Sequence, residues 1–310
     1  MSNKYDDIRK ILFIRLGNIR DIAHTTITYQ TIKQNMKNVH IDILTSSLMQ
    51  ELVNNDNHLH QIISLDDSTY DGIFRLAMQL TENHYDLVVN LQPTLKTRFF
   101  TAILNKRHVL TFKNNKNLHN AENFFNLIHP LIPDVERPKQ LNILLNQDTK
   151  KWAKNCMEKE KITHAIGIVP GSSSKNIGKL WPNDHWKDLL DYITNQKGLH
   201  AILFGGTNEF DFAKELQKIN KDKIRNFSGK LTISQTAGVL SSCMVVIGCN
   251  TGPTHLATGL GPKVIGLYGS TGTIETGLYG IGHEMLISNN DCISCNNKNC
   301  KYIKNLKEYA

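Results

Sequence analysis

The chain has 310 residues, 40% of them hydrophobic and 21% charged, a globular composition long enough for two domains. Its formal net charge of +8 favours an anionic partner. There is no Walker A loop, GxGxxG motif, RNA-binding aromatic signature or Cys/His finger, which disfavours ATPases, dehydrogenases and nucleic-acid-binding proteins. We expect a cytoplasmic protein, because no stretch reaches the roughly 18 apolar residues that span a bilayer and Arg15 interrupts the first apolar run.

In the first half of the chain, apolar runs alternate with helical patterns. We predict strands at residues 11–16, 39–44, 61–65 and 87–91, and helices from the polar turn 17–21 to about residue 35, at 47–54 and at 73–81. Residues 87–121 contain no Asp or Glu but six basic residues: Lys96, Arg98, Lys106, Arg107, Lys113 and Lys116. This stretch is either a solvated helix face or an anion-binding surface.

The pattern changes between residues 130 and 147, where three prolines lie among polar residues. A helical, Lys-rich stretch at 148–161 follows, and a second α/β set then begins. We predict its strands at 165–169, 199–204, 244–247 and 263–268, with helices at 185–194, 209–219 and 233–240. The sequence therefore predicts two doubly wound, Rossmann-like domains, residues 1–150 and 151–310, that face a ligand cleft.

Four predicted strands of the second half run into segments rich in Gly, Ser and Thr. These segments are residues 170–174, 205–209, 248–252 and 269–271. A single segment of this kind is an ordinary turn or helix cap, but four at successive strand ends favour a nucleotide site, because backbone N–H groups and hydroxyls bind a diphosphate. Glu209 supplies a carboxylate that can accept hydrogen bonds from ribose hydroxyls.

These motifs resemble the heptosyltransferase family, glycosyltransferases of the two-domain GT-B type that use ADP-heptose to build the lipopolysaccharide inner core. The resemblance rests on residues 11–26, on Lys179-Leu180-Trp181-Pro182, and on residues 248–257 followed by 268–271. It implies that the first domain binds the acceptor and the second the nucleotide sugar.

The resemblance also implies roles for individual residues. Asp21 matches the catalytic base that takes a proton from the acceptor hydroxyl, and Lys179 matches the lysine that offsets charge on the departing ADP. The expected donor-binding residues are Ser172, Ser173, Glu209, Asn250, Thr251, Gly252 and His255. Arg20, Lys96 and Arg98 are expected to bind the anionic acceptor. No cofactor or bound metal is expected, and His24 is a further residue to test.

Two positions depart from the family pattern. Arg20 stands where the family usually has Gly, and Asn250 where it usually has Asp. Arg20 places a cation beside the proposed base, and Asn250 removes a charge but keeps the shape of the side chain. Both departures leave open a divergent or inactive paralogue that only binds a nucleotide sugar.

The segment Cys292-Ile-Ser-Cys295-Asn-Asn-Lys-Asn-Cys300 contains three of the six cysteines. These are either reduced thiols or ligands of a metal, which Cys249 or His283 would complete. Some protein-modifying members of the family bind iron through four cysteines, so a protein-modifying heptosyltransferase is an alternative.

The sequence as a whole predicts an enzyme that transfers heptose from ADP-heptose to a lipid A–Kdo or heptose acceptor, in peripheral contact with the inner membrane. A nucleotide-sugar epimerase on the same fold is a further alternative, which turnover of the nucleotide sugar without an acceptor would favour.

Overall fold

The computed structural model describes residues 5, 7–171, 180–269 and 271–288. The chain divides into two compact units, residues 1–144 and 145–310. In each unit parallel strands alternate with helices, so the predicted α/β class is confirmed. Within the described ranges, no helix is both long and apolar enough to cross a membrane.

The described residues of the first unit form a five-stranded parallel sheet. Its strands are β1 (Lys10–Ile14), β2 (His40–Thr45), β3 (Gln61–Ser64), β4 (Tyr85–Asn90) and β5 (Lys106–Thr111). Their order across the sheet is β3-β2-β1-β4-β5. β1 lies at the centre, where Ile11 pairs with Ile41 on one side and with Leu87 on the other. Its last four residues are fully buried, as the continuous apolar run predicts.

In the described part of this unit the sheet is covered by the helices α1 (Ile19–Asn35), α2 (Ser47–Val53), α3 (Tyr70–Thr81), α4 (Leu95–Ile103) and α5 (Asn120–Ile128). α1 packs against α2 and α5, whereas α3 packs against α4. α1 is polar yet largely buried, because the hydroxyls of Thr25, Thr28 and Thr31 donate to carbonyls one turn earlier in the helix. These bonds satisfy groups that burial would otherwise leave without partners.

The second unit contains a six-stranded parallel sheet. Its strands are β6 (Ala165–Val169), β7 (His200–Leu203), β8 (Ile224–Asn226), β9 (Val245–Cys249), β10 (Lys263–Tyr268) and β11 (Glu284–Ile287), in the order β11-β10-β9-β6-β7-β8. The helices are α6 (Gln147–Lys159), α7 (Asn183–Asp191), α8 (Phe210–Gln217), α9 (Ile233–Ser241), α10 (Gly252–Ala257) and α11 (Thr273–Thr276). Trp186 is fully buried and packs in the same core as Ile168 and Leu203, so it has a structural role.

Several predicted boundaries in the second unit differ from the structure by a few residues, and two of the differences concern the candidate site. The strand predicted at residues 244–247 continues through Gly248 to Cys249. Residue 248 has to be a glycine here, because a Cβ would lie 2.9 Å from the carbonyl oxygen of Val169 and 2.5 Å from Thr254 Oγ1. The absence of a side chain lets neighbouring strands remain paired. The helix predicted from residue 209 begins earlier, as a 3₁₀ turn at Thr207–Glu209.

Candidate active site

Asp21 lies in the first turn of α1, shortly after β1. Asn18 is the N-cap of this helix, and its side-chain oxygen accepts a hydrogen bond of 3.2 Å from the backbone N–H of Asp21. Within the polar turn predicted at residues 17–21, only Gly17 and Asn18 precede the helix. A carboxylate in the first turn is stabilised by the free N–H groups of the helix N-terminus.

Three side chains contact the carboxylate of Asp21. Arg15 Nη2 and Asn18 Nδ2 both donate to Oδ2, the second over 3.1 Å. Arg20 Nε donates to Oδ1 over a longer distance of 3.3 Å, and its side chain is 24% exposed. One carboxylate oxygen is therefore fixed by two donors, while the other has a single, weaker contact with a side chain that reaches solvent.

Sequence reasoning does not identify Arg15 as a residue of this site, because in the sequence it only interrupts an apolar run. Its Nη1 donates to the carbonyl oxygen of Leu91 at 2.6 Å, and its guanidinium lies 5.2 Å from the centre of the Phe124 ring. Burial lowers the pKa of Arg15, and the charge and hydrogen bond of Asp21 oppose that shift. The signal that could have identified it is an Arg directly after a continuous apolar run, six residues before an acidic residue at a helix start.

Arg15 and Asp21 lie where the strand order of the first sheet reverses. β1 is followed along the chain by β2 on one side, whereas its other neighbour is β4. The segments that leave these two strands are joined by the Arg15–Leu91 bond and by Gln92 Oε1, which accepts from the N–H of Leu16 at 3.1 Å. Ligands of open parallel sheets bind beyond such reversals, at the carboxyl ends of the strands.

The remaining predicted residues of the first unit are placed differently from one another. Lys96 and Arg98 are exposed on α4, and Lys96 Nζ donates to the carbonyl oxygen of Ser68 at 2.6 Å. Lys106 and Arg107 lie at the start of β5, so they are at the amino ends of the strands, whereas α4 begins at the carboxyl ends. His24 is fully buried, with its ring 4.9 Å from that of His119. The basic stretch predicted from residues 87–121 is thus not a single surface.

The second sheet has its own reversal, between β6 and β9. Gly171 follows β6 with a φ of +68°, and a Cβ there would lie 3.1 Å from Cys249 and 3.1 Å from Thr251. The segments after these two strands are therefore in contact. Thr251 is the N-cap of α10 and Gly252 its first residue, and both are half-buried.

Asn250 connects three parts of the second unit. Its Nδ2 donates to Thr271 Oγ1 at 3.0 Å and to Thr276 Oγ1 at 3.1 Å, and its Oδ1 lies 2.7 Å from Nε2 of the fully buried His255. Thr276 already donates its hydroxyl hydrogen to Gly272 at 2.9 Å, so it can only accept from residue 250. An amide satisfies this arrangement, whereas a carboxylate has no hydrogen to donate.

Glu209 lies beside the segment after β7. Its Oε2 accepts a hydrogen bond of 2.5 Å from the N–H of Gly206, and a Cβ at Gly205 would lie 2.7 Å from the Cβ of Glu209. The carboxylate is half-buried at the carboxyl edge of the sheet. This is the edge at which it would have to lie to accept hydrogen bonds from a ribose.

Several predicted residues fall outside the described ranges: Ser172, Ser173, Lys179, Cys292, Cys295 and Cys300. Among the residues that are described, no group of three or more His, Cys, Asp or Glu side chains could hold a metal ion. Burial raises the pKa of the Cys249 thiol to about 11, so this side chain is a protonated thiol at neutral pH.

Residues 73–306 match the model of glycosyltransferase family 9 (heptosyltransferase). The chain belongs to this family. It is 25% identical over 291 residues to lipopolysaccharide heptosyltransferase 1 of Campylobacter coli, covering 84% of each protein. The predicted family, the GT-B class with two parallel-sheet α/β domains, and the predicted glycosyltransferase activity are confirmed.

Solved structures of the family share this fold at low sequence identity. The family 9 glycosyltransferase from Veillonella parvula has a TM-score of 0.84 and 19% identity, with 93% of this chain and 88% of that chain covered. The Escherichia coli heptosyltransferase WaaC with ADP has a TM-score of 0.74 and 16% identity, with 97% of this chain and 98% of that chain covered.

We predict that Arg15→Gln destabilises this heptosyltransferase far more than Arg20→Gln. The side chains of Arg15 and Asp21 are 10% and 11% exposed, so removing Arg15 leaves a buried carboxylate without its main partner, at a cost of about 3 kcal/mol. Arg20 is a more exposed contact, worth less than about 1 kcal/mol. The free energies of unfolding of both variants in urea measure the difference, and equal losses would contradict the structural role assigned to Arg15.

Proposed function

We propose that this protein transfers heptose from ADP-heptose to an anionic inner-core acceptor of lipopolysaccharide, lipid A–Kdo or heptose, at the cytoplasmic face of the inner membrane. The observation that carries the proposal is the position of Asp21. In a member of a heptosyltransferase family, an ion-paired carboxylate lies in the first turn of a helix at the strand-order reversal of the first sheet.

The second unit is proposed to bind the nucleotide sugar, with Asn250, Thr251, Gly252, His255 and Glu209 on the donor side. Two observations support this role: the contact between the segments after β6 and β9, and the position of Glu209 at the same edge of the sheet. The ADP present in the structure of WaaC supports the choice of nucleotide. Lys179, with Ser172 and Ser173, completes the proposed donor side from the sequence motif alone.

The first unit is proposed to bind the acceptor. The acceptor hydroxyl would give its proton to Asp21 Oδ1 as its oxygen attacks the anomeric carbon of heptose. The bond from that carbon to the donor phosphate oxygen then breaks, and ADP leaves with the electron pair while Lys179 offsets its charge. Oδ1 is the oxygen for this step, because Oδ2 already accepts from Arg15 and Asn18.

Arg20, Lys96 and Arg98 are proposed to bind phosphate and acidic sugar groups of the acceptor. Arg20 touches Asp21 and is partly exposed, so the same guanidinium can contact an anion next to the reacting hydroxyl. Lys96 and Arg98 lie on α4, whose first turn follows β4 at the same edge of the sheet.

We predict that ADP raises the melting temperature of the protein more than UDP or GDP at the same concentration. If Glu209 accepts hydrogen bonds from the ribose, Glu209→Gln should weaken stabilisation by all three nucleotides. Glu215→Gln is the matched control, because Glu215 is an exposed acid on α8 that pairs with Lys218 at 2.7 Å. Thermal-shift titrations measure these effects, and equal or stronger stabilisation by UDP would reject ADP as the nucleotide.

We predict that Asp21→Asn lowers the transfer rate by roughly 10²- to 10⁴-fold, since a neutral amide cannot accept the proton. Stabilisation by ADP should remain, because Asp21 lies in the proposed acceptor unit. The variant also loses the ion pair with Arg15, so the assay requires a temperature at which the variant is folded.

Asp56→Asn provides a matched control for this loss of stability. Asp56 is a buried aspartate of the same unit that accepts from Tyr29 and Gln30, away from the strand-order reversal. Turnover per folded molecule should be normal in Asp56→Asn. Full transferase activity in Asp21→Asn would exclude Asp21 as the base.

A further inference from the structure

Five large apolar side chains are exposed together on the two helices that cover one face of the first sheet. Tyr70, Phe74 and Met78 project from α3 at intervals of four residues, and Leu95 and Phe99 project from α4 at the same interval. Their exposed fractions range from 38% for Phe99 to 78% for Leu95. We call these five residues the α3–α4 surface.

The α3–α4 surface is continuous across the two helices. α3 and α4 pack against each other, and the rings of Tyr70 and Phe99 meet edge to face with their centres 5.6 Å apart. The opposite sides of both helices are buried, with Ile73 and Phe100 in the core under the sheet. The exposed rows therefore do not contribute to the core of the unit. Contiguous exposed apolar groups of this kind mark interaction sites.

The charges on α4 favour an anionic partner at its end of the surface. α4 carries Lys96 and Arg98 and no acidic residue, and no carboxylate of the described chain lies within ion-pair distance of either side chain. Beside α3, Asp67, which precedes the helix, and Asp71 in its first turn both pair with Arg75, at 3.0 and 2.8 Å. Lys is depleted from protein–protein interfaces, whereas Lys and Arg beside Phe and Leu are typical of helices that lie at a membrane surface.

The position of the surface relates it to the proposed reaction. Tyr70 and Leu95 are the first residues of α3 and α4, and Asp21 is in the first turn of α1. The helices of a parallel α/β sheet all begin at the carboxyl edge of the strands, so the apolar rows start at the edge where Asp21 lies.

We propose that the α3–α4 surface binds an anionic lipid bilayer, with its apolar side chains among the acyl chains and Lys96 and Arg98 at the headgroup phosphates, which include those of a lipid-anchored acceptor. This inference rests on the proposed function, because a lipid-anchored acceptor presented by that bilayer would then lie next to Asp21.

Sedimentation with lipid vesicles tests the proposal without measuring catalysis. The wild-type protein should bind vesicles of phosphatidylcholine with phosphatidylglycerol, and bind vesicles of phosphatidylcholine alone more weakly. Phe74→Ser/Leu95→Ser should lower the partition coefficient on the order of tenfold or more, and Lys96→Glu/Arg98→Glu should remove the preference for phosphatidylglycerol.

The chain offers matched controls for both variants. Leu48→Ser removes an exposed apolar residue from α2 in the same unit, and Lys150→Glu/Lys151→Glu reverses two exposed charges on α6. Both controls should bind vesicles as the wild type does, and all variants should keep its melting temperature within a few degrees.

Three results would overturn the proposal: no binding of the wild-type protein to either vesicle, an equal loss in Leu48→Ser, or a dimer that Phe74→Ser/Leu95→Ser dissociates, since a second copy would then cover the surface. Failure of the proposed function is distinguishable, because it would appear as absence of heptosyl transfer to any acceptor by a protein that still binds vesicles.

Discussion

The ion pair between Arg15 and Asp21 is the interaction on which the first unit depends. Arg15 directly follows the central strand, and Asp21 lies in the helix that comes next. By also binding the carbonyl of Leu91, Arg15 joins the two strands between which the chain order reverses. The cost of burying a guanidinium and a carboxylate is offset because each has more than one hydrogen-bonding partner. The same contacts orient the carboxylate proposed as the base.

In the second unit, neutral groups join the segments at the strand-order reversal. Around its reversal, Gly171 and Gly248 allow backbone segments to approach closely, and the amide of Asn250 holds the segments after β9 and β10 together. The departure from the family's usual aspartate therefore has a local explanation, since Thr276 requires a donor at this position. The departure at Arg20 has a different character: the side chain is partly exposed and adds a cation on the proposed acceptor side.

Much of the fold could be predicted from the sequence, because buried parallel strands are continuous apolar runs and the Gly-rich segments mark their ends. The elements that were missed lack those signals. β5 alternates between half-buried and exposed residues, β8 has three residues, and β11 is exposed along its length. The sequence pattern also did not predict α4, which lies within the basic stretch, or α5, which begins at its end. Asp21 could be placed from its motif, but the bond from its partner Arg15 to the carbonyl of Leu91 depends on the strand order, which periodicity does not reveal.

Heptosyl transfer by this protein is tested most directly by the mass of the acceptor after incubation with a nucleotide sugar. Purified lipid A–Kdo would be incubated with the protein and ADP-heptose, and in parallel with a UDP-linked hexose, and then analysed by mass spectrometry. We expect an acceptor heavier by one heptose residue, formed only with ADP-heptose and intact protein. No mass change with this acceptor or with one already carrying heptose, or addition of the hexose instead, would contradict it.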